Sequence, residues 1–269
     1  MKFKTIFFLF NGIILFSFLF IALMPLFVLG GEYTMIFWEE NWFLAVIFLL
    51  FISVLDSYFI INWKMFSLLE SEDWPGLTAY LEQQIYEKNR ITHKNVRMMV
   101  NTSLTISNLD KISRLEKEIR EKKPEWMSRY GTMLGIPYLL NQNHEEGKAF
   151  FKDCLNKAKV AESFWLQWCY SFILLSGKEV DEAESYLKDL GKQEKDPVLQ
   201  MLSLYLYKST TGDPVKLDEM KPLKEAFLTK FPTRKSLDRV LNKTRSNNVT
   251  VLLLSSILDD SLNWMFETE

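Results

Sequence analysis

Residues 6–29 read IFFLFNGIILFSFLFIALMPLFVL, a stretch of 24 residues without a charged side chain. A helix rises about 1.5 Å per residue, so this stretch reaches about 36 Å and exceeds a hydrocarbon core of about 30 Å. Pro25 lies near its end, where a kink is tolerated. The apolar run is too long for a signal peptide and no small-residue cleavage motif follows it. The stretch therefore predicts an uncleaved transmembrane helix.

A second apolar span covers residues 42–63, with Trp42 and Trp63 at its two ends and Asp56 as its one charged residue. Tryptophan is favoured at membrane interfaces, so both ends are suited to the headgroup region. Together the spans at about 6–29 and 42–63 predict a transmembrane hairpin that occupies residues 1–66.

The placement of lysine predicts how the hairpin is oriented. Lys2 and Lys4 precede the first span and Lys64 follows the second, whereas the connecting loop Gly30–Asn41 holds no Lys or Arg. The positive-inside rule then places both termini in the cytoplasm and the acidic loop outside. We expect a multi-pass protein of the bacterial cell (inner) membrane.

Asn11 and Asp56 are the polar side chains deepest in the two spans, and an antiparallel hairpin places them at matched depth. One interpretation is a proton or ion path in an accessory or structural subunit of a membrane transport complex. The spans offer no Lys, Arg or His to complete such a relay. The sequence favours a hydrogen bond between Asn11 and Asp56 that locks the hairpin.

Residues 72–215 carry an internal repeat. Four amphipathic segments align at Leu77, Ile112, Gly147 and Ala183, which are 35, 35 and 36 residues apart. More apolar helices are predicted between them, at about 92–107, 124–141, 162–176 and 197–209. Two helices per 34–36 residues predict an all-α fold, in which the hairpin is followed by an α-solenoid of helix pairs.

Local signals support these boundaries. Asn143 with Glu146 is typical of a capping box, and Gly177 is expected to end a helix. Asp196 and Asp213 each precede a first-turn proline and are expected to cap helices.

Residues 216–269 are expected to form C-terminal helices at about 216–230, 236–244 and 248–266. The last is strongly apolar, and we expect it to cap the open end of the solenoid. Binding to the membrane surface is the alternative, which its acidic charges disfavour.

The segment Gly131–Lys159 resembles a tetratricopeptide repeat (TPR). Gly135 follows a leucine, Tyr138 comes three residues later, and Gly147 and Phe151 occupy the family's small and aromatic positions. Neighbouring repeats depart from the pattern; in the repeat of Ala183, Ser171 and Leu174 replace the glycine and tyrosine. The resemblance covers roughly 72–215 and implies TPR-like helix pairs with a concave face that binds peptides.

If the family's geometry carries over, the first helix of each pair lines a peptide-binding groove. The residues that would project into it are Lys94, Arg97, Asn101, Arg129, Thr132, Trp165, Trp168 and Phe172. Aromatic side chains flanked by Arg and Lys suit a peptide with an acidic or carboxylate end. The alternative is that the aromatic residues belong to the core between repeats.

Composition and spacing give no support for an enzyme. Outside residues 1–63 the charges balance, which disfavours a nucleic-acid surface. His93 and His144 have no metal-ligand spacing, and His144 is expected to be exposed. Cys154 and Cys169 suit buried positions in a reducing compartment. The sequence shows no phosphate-binding loop or nucleophile motif, so we expect no cofactor, metal or small-molecule substrate.

The sequence therefore predicts a non-enzymatic, membrane-anchored scaffold for protein–protein interaction. Its expected partners are the lipid bilayer and an unidentified protein or peptide. Two N-terminal spans followed by TPR-like helices give a layout similar to HemY-type bacterial inner-membrane proteins, a likeness of arrangement without a shared motif.

Overall fold

A computed structural model describes residues 3–141, 143–193, 195–247 and 254–267. Within these ranges the secondary structure is helical and no strand occurs. The chain divides into two compact units, residues 1–89 and residues 90–269. The structure thus has two apolar N-terminal helices followed by a helical domain, which confirms the predicted all-α class.

The first unit contains two long helices and two short ones. They are α1 (Phe3–Leu29), α2 (Gly31–Ile61), α3 (Trp63–Glu70) and α4 (Trp74–Glu82), the last continued by a π-helical turn, Gln83–Glu87. Asp73 caps α4, because its carboxylate accepts a hydrogen bond from the Gly76 amide at 2.9 Å.

The long helices α1 and α2 pack as an antiparallel pair. Gly30 alone connects them, with φ of +84°, a backbone conformation that glycine adopts without a steric penalty. The rings of Phe18 and Phe48 stack at 4.4 Å, and those of Phe7 and Phe59 meet edge-on at 5.8 Å. These two contacts fix one register along the hairpin.

The predicted connecting loop Gly30–Asn41 is wrong as a loop, because residues 31–40 are helical. The chain departs from helical geometry at Asn41 instead (φ −117°, ψ 17°), and a second helical stretch begins at Trp42. The Trp38 indole donates to the Ala22 carbonyl at 3.2 Å, so the early part of α2 is tied to α1. The second long helix ends at Ile61, and Trp63 begins α3.

Both long helices meet the length and composition of a membrane span. The segments Thr5–Val28 and Gly31–Ile61 have mean hydropathies of 2.6 and 2.5, and no part of their most apolar windows is buried within the protein. Large apolar side chains such as Phe16 and Phe27 are more than 70% exposed. Such surface is costly in water, and a hydrocarbon phase would cover it.

The second unit is a succession of antiparallel helices. They are α5 (His93–Thr105), α6 (Leu109–Lys122), a 3₁₀ turn (Pro124–Trp126), α7 (Met127–Leu134), α8 (Ile136–Leu140), α9 (His144–Lys157), α10 (Val160–Ser176), α11 (Val180–Gly191), α12 (Pro197–Thr210), α13 (Pro214–Lys230), α14 (Arg234–Asn247) and α15 (Ser255–Phe266). Helices α9 to α12 pack each on the next along the chain.

One predicted helix, residues 124–141, is divided into three pieces. The break follows α7, where Gly135 is the C-cap and Pro137 lies in the first turn of α8. Proline provides no amide hydrogen and its ring crowds the preceding turn, so a continuous helix is disfavoured.

The capping predictions have mixed outcomes. Asp196 accepts from the amides of Val198 and Leu199 at 3.1 and 3.2 Å, and Asp213 accepts from Val215 at 2.9 Å, which confirms both caps. Gly177 is the C-cap of α10, as predicted. The capping box at Asn143 is wrong: its side chain makes no capping hydrogen bond, and its backbone carbonyl accepts from the Gly147 amide.

The small and aromatic residues of segment 131–159 pack against one another. A Cβ on Gly135 would lie 2.3 Å from Cζ of Phe151, and one on Gly147 would lie 3.1 Å from Cβ of Tyr138. The two glycines therefore let helices approach more closely than any other residue would allow.

Ion pairs join helices that are separated by at least one other helix along the chain: α6 with α9, α9 with the N-cap residue of α11, and α11 with α13. Arg120 pairs with Asp153 at 2.5 Å and Lys188 with Glu219 at 2.5 Å. Two further pairs, Lys148 with Glu179 and Glu184 with Lys216, complete the series. The two partners of each pair are 31 to 33 positions apart in sequence, which is close to the period of the predicted internal repeat.

The last helix, α15, packs on α12 and α13. The Trp264 ring lies 6.1 Å from that of Tyr205, and Lys224 lies over the same indole at 4.8 Å. Leu258, Leu262 and Met265 are buried. The helix was predicted from residue 248; its described part begins at Ser255, and residues 248–253 lie outside the described ranges.

Candidate functional site

A cleft of about 460 Å³ opens in the second unit. Helices α5, α7, α10 and α14 supply its walls, together with the segment that leads into α12. The lining residues are Arg97, Ser128, Arg129, Tyr130, Thr132, Met133, Trp165, Lys195, Asp196, Pro197, Val240, Lys243 and Thr244. The cleft is of the size that binds a small ligand or a few residues of a peptide.

The cleft is cationic. Arg97, Arg129, Lys195 and Lys243 are all exposed, and Asp196 is the one carboxylate among the described residues that line it. Charges of one sign in a concave surface raise the local concentration of oppositely charged ligands. The lining therefore favours an anionic group.

Asp196 is already engaged by the protein. Its Oδ2 accepts a hydrogen bond from the Trp165 indole at 2.8 Å, and its Oδ1 accepts from the first amides of α12. The carboxylate thus holds the Trp165 ring and the start of α12 at the same time. These donors and the helix dipole stabilise its negative charge.

Tyr130 lies at the buried side of the cleft and connects it to His93. The Tyr130 hydroxyl and Nδ1 of His93 are 2.6 Å apart. Burial raises the pKa of Tyr130, while the positive charges of Arg129 and Arg97 act in the opposite direction. The hydroxyl is therefore neutral at physiological pH and acts as a hydrogen-bonding group.

The ring of His93 is held from its other side as well. It stacks on Trp126 at 4.0 Å, and the ammonium of Lys123 lies 4.1 Å from the centre of the Trp126 ring. The same ammonium donates to the Ile91 carbonyl at 2.9 Å. Tyr130, His93 and Trp126 thus form a row of adjoining rings that begins at the cleft.

Four of the eight predicted groove residues line this cleft: Arg97, Arg129, Thr132 and Trp165. Lys94 and Asn101 are exposed on α5 but do not line it. Phe172 lines a second pocket, and Trp168 is fully buried. That burial disagrees with an exposed groove position for Trp168 and agrees with the alternative, a core residue. Peptide binding by the other residues stays a prediction.

The second pocket is smaller and almost entirely apolar. Its volume is about 210 Å³, and it is lined by Ile136, Leu139, Leu140, Phe172, Leu254, Ser256 and Ile257. Leu140 is 46% exposed, so the pocket is open on that side. The C-terminal segment thus contributes a wall here, as α14 does at the cleft.

Trp168 lies between the two pockets on α10. Its ring centre is 6.3 Å from that of Trp165 and 5.6 Å from that of Phe172, on which it stacks. Its Nε1 is buried, and no acceptor for it lies within reach among the described residues. A buried donor without an acceptor costs roughly 1–3 kcal/mol.

Sequence reasoning missed several residues of the cleft. Asp196 is the helix cap that the sequence predicts, but neither Asp196 nor Lys195 is among the predicted site residues. Val240, Lys243 and Thr244 come from α14, and no local pattern indicates that this helix lies beside α5 and α7. Tyr130 lies on α7 with the predicted residues Arg129 and Thr132. Its position next to Arg129 in the sequence does not indicate that its side chain also lines the cleft.

The predicted intramembrane pair is not joined as expected. The Asn11 side-chain amide donates to the carbonyl of Phe7 in its own helix at 3.1 Å. Asn11 and Asp56 are both half-buried, and the register set by the phenylalanine contacts places them at similar depth. The hydrogen bond that was predicted to lock the hairpin is replaced by one to the backbone.

The remaining candidates for chemistry are buried. Cys154 and Cys169 are free and buried, as predicted, and burial raises the pKa of the Cys154 thiol to about 12. The pKa of Cys169 is raised as well. His144 is half-buried, with Nδ1 enclosed, so its predicted exposure is wrong. No cluster of three His, Cys, Asp or Glu suited to a metal occurs in the described residues.

Comparison with known proteins places these features in a family. Residues 111–267 match the family described as "Uncharacterised Treponema protein", a range that includes helices α7 to α15. A protein of Treponema pallidum (strain Nichols), described as "Uncharacterized protein", is 22% identical over 238 residues, which cover 82% of this chain and 74% of the relative. No solved structure matches the chain. Since the family match covers more than half of its length, the chain belongs to this Treponema protein family.

Proposed function

We propose that the protein is a membrane-anchored interaction scaffold whose helical domain binds an acidic segment of a partner protein in the cationic cleft. The observation that carries the proposal is the excess of positive charge: Arg97, Arg129, Lys195 and Lys243 line the cleft, and the described lining residues include one carboxylate, Asp196, which is already hydrogen-bonded. Guanidinium groups bind carboxylates through paired hydrogen bonds, so two arginines suit an acidic peptide.

We propose a TPR-like organisation for the domain, which favours a peptide ligand over a small metabolite. Successive helices pack on one another, Gly135 and Gly147 permit close packing, and the partners of the ion pairs are 31–33 residues apart in sequence. Repeat proteins of this kind present extended concave surfaces to other chains. These features support the TPR-like part of the proposal.

In the same proposal, α1 and α2 anchor the domain in a bacterial inner membrane with both termini in the cytoplasm. The support is the lysine asymmetry around the spans and the exposed apolar surface of both helices. Alkaline phosphatase fused after Glu269 should be inactive, because this reporter requires export to fold. An active fusion would place the domain outside and contradict the orientation.

The binding claim is tested on the full chain in a non-ionic detergent. The probe is a fluorescein-labelled peptide with two adjacent aspartates among glycine and alanine, followed by fluorescence anisotropy. Replacing both arginines (Arg97→Glu with Arg129→Glu) should weaken binding at least tenfold, and added salt should weaken the wild type.

The matched control carries the same change of charge elsewhere. Lys117 and Lys152 are exposed on α6 and α9 and do not line the cleft, so Lys117→Glu with Lys152→Glu should leave the affinity nearly unchanged. Equal losses in both double variants would indicate a non-specific charge effect, and absence of wild-type binding would refute the proposal.

A further inference from the structure

The cleft and the apolar pocket are neighbours in the domain, since both are lined by the same two stretches of chain. Thr132 and Met133 line the cleft, and Ile136 lines the pocket a few residues later. On α10, Trp165 lines the cleft and Phe172 lines the pocket. Trp168, on the same face of the helix, separates the two.

The separation follows from helix geometry. Seven residues divide Trp165 from Phe172, which corresponds to about 10 Å along the axis of α10. The successive ring separations of 6.3 and 5.6 Å along Trp165, Trp168 and Phe172 agree with that length. An extended peptide advances about 3.3 Å per residue, so about three residues bridge the two pockets.

The C-terminal helices form a wall of both pockets. Val240, Lys243 and Thr244 of α14 line the cleft, whereas Leu254, Ser256 and Ile257 line the apolar pocket at the start of α15. A segment that only capped the end of the domain would contact the last helices. Here the segment also lies beside α7, α8 and α10.

We propose that cleft and pocket are two subsites of one binding face, which the C-terminal helices complete. Its ligand is an acidic peptide with an aliphatic side chain about three residues from the carboxylate. This inference rests on the proposed function for the binding of the peptide's acidic group. It adds a second subsite, the spacing between the acidic and aliphatic side chains of the peptide, and the role of α14 and α15. The cations bind the acidic group, and the leucine-lined pocket removes the aliphatic side chain from water.

The test compares three labelled peptides on the full chain in detergent. One carries two aspartates and a leucine three residues on, the second has alanine in place of that leucine, and the third places the leucine directly beside the aspartates. Burial of a leucine rather than an alanine predicts about tenfold tighter binding for the first peptide. The third peptide should bind no better than the second.

Variants connect this preference to the pocket. Ile257→Ser should remove most of the leucine preference and leave the affinity for the alanine peptide unchanged. Val215→Ser is the control, because Val215 is 68% exposed and lines neither pocket. Leu140→Ser at the open rim is the second variant if Ile257→Ser lowers the melting temperature. Lys243→Ala should weaken all three peptides equally, as a wall residue of the cleft would.

The outcomes separate the two proposals. If the alanine peptide binds in an arginine-dependent way but the leucine gives no advantage, the two-subsite inference is refuted and the acidic-peptide function stands. A leucine preference that survives both pocket variants also refutes the inference. If no peptide binds the wild type, both proposals fail.

Discussion

The indole nitrogen of Trp165 donates a hydrogen bond of 2.8 Å to Oδ2 of Asp196, and the other oxygen of that carboxylate caps α12. One side chain therefore connects the middle of α10 to the start of α12 at the wall of the cleft. Asp196 thus has two roles: its oxygens accept hydrogen bonds that stabilise the fold, and its charge is the one negative charge among the described lining residues. Substitutions can separate these roles.

Asp196→Ala should destabilise the domain by about 2 kcal/mol, since it removes a helix cap and a hydrogen bond. Asp196→Asn retains an oxygen for the cap and should cost about 1 kcal/mol or less. The asparagine variant should also bind the acidic peptide more tightly, because a negative charge has left the cleft. Urea unfolding followed by far-UV circular dichroism gives the stabilities. Equal destabilisation by Ala and Asn would show that the cap is unimportant.

Gly135→Ala tests the close packing of the repeat-like segment. A Cβ at this position would meet the Phe151 ring at 2.3 Å, and overpacking of this kind costs roughly 1–3 kcal/mol. Gly212→Ala is the control, because a Cβ there meets no atom within 4 Å and its φ is not in the left-handed region. The melting temperature should fall for the first variant alone. A fall of the same size for both would contradict the packing argument, because the loss of backbone freedom in the unfolded chain should by itself stabilise an alanine variant.

Sequence patterns predicted the helices well, because apolar periodicity and capping residues act locally. Asp196 and Asp213 cap the helices that they were expected to cap. Periodicity cannot show which helices meet in space, however. Lys243 and Arg97 line one cleft although they are nearly 150 positions apart in sequence, and this depends on how α14 packs in the domain.

The errors have physical reasons as well. The prediction of a loop at residues 31–40 is wrong because three glutamates there interrupt the apolar pattern without ending the helix. The Trp38 indole donates to the Ala22 carbonyl and ties this part of α2 to α1. The groove position of Trp168 is what the tetratricopeptide resemblance implies, with a core position as the alternative. The resemblance gives the helix on which a residue lies and not what covers its side chain.

Substitutions at Trp168 test whether its side chain is buried. Trp168→Ala removes a large buried ring and should cost about 3–5 kcal/mol. Trp168→Phe keeps most of the apolar volume and also removes an indole donor for which the described residues offer no acceptor, so its stability should lie within about 1 kcal/mol of the wild type. Chemical denaturation of both variants measures the difference. Retention of full stability by the alanine variant would place the ring at a surface instead.

The thiols of Cys154 and Cys169 should not react in the native protein. With a pKa of about 12, the Cys154 thiol carries a thiolate fraction of only about one in ten thousand at pH 8, and the pKa of Cys169 is raised in the same direction. The thiolate is the reactive form, and both side chains are buried, so labelling requires the helices to open. Ellman's reagent should therefore detect no free thiol in mild detergent and two in a denaturing detergent.

The variant Gly135→Ala should react with the reagent faster than the wild type, because Gly135 packs against α9, the helix that carries Cys154. Rapid reaction of the wild type would contradict both the burial and the raised pKa.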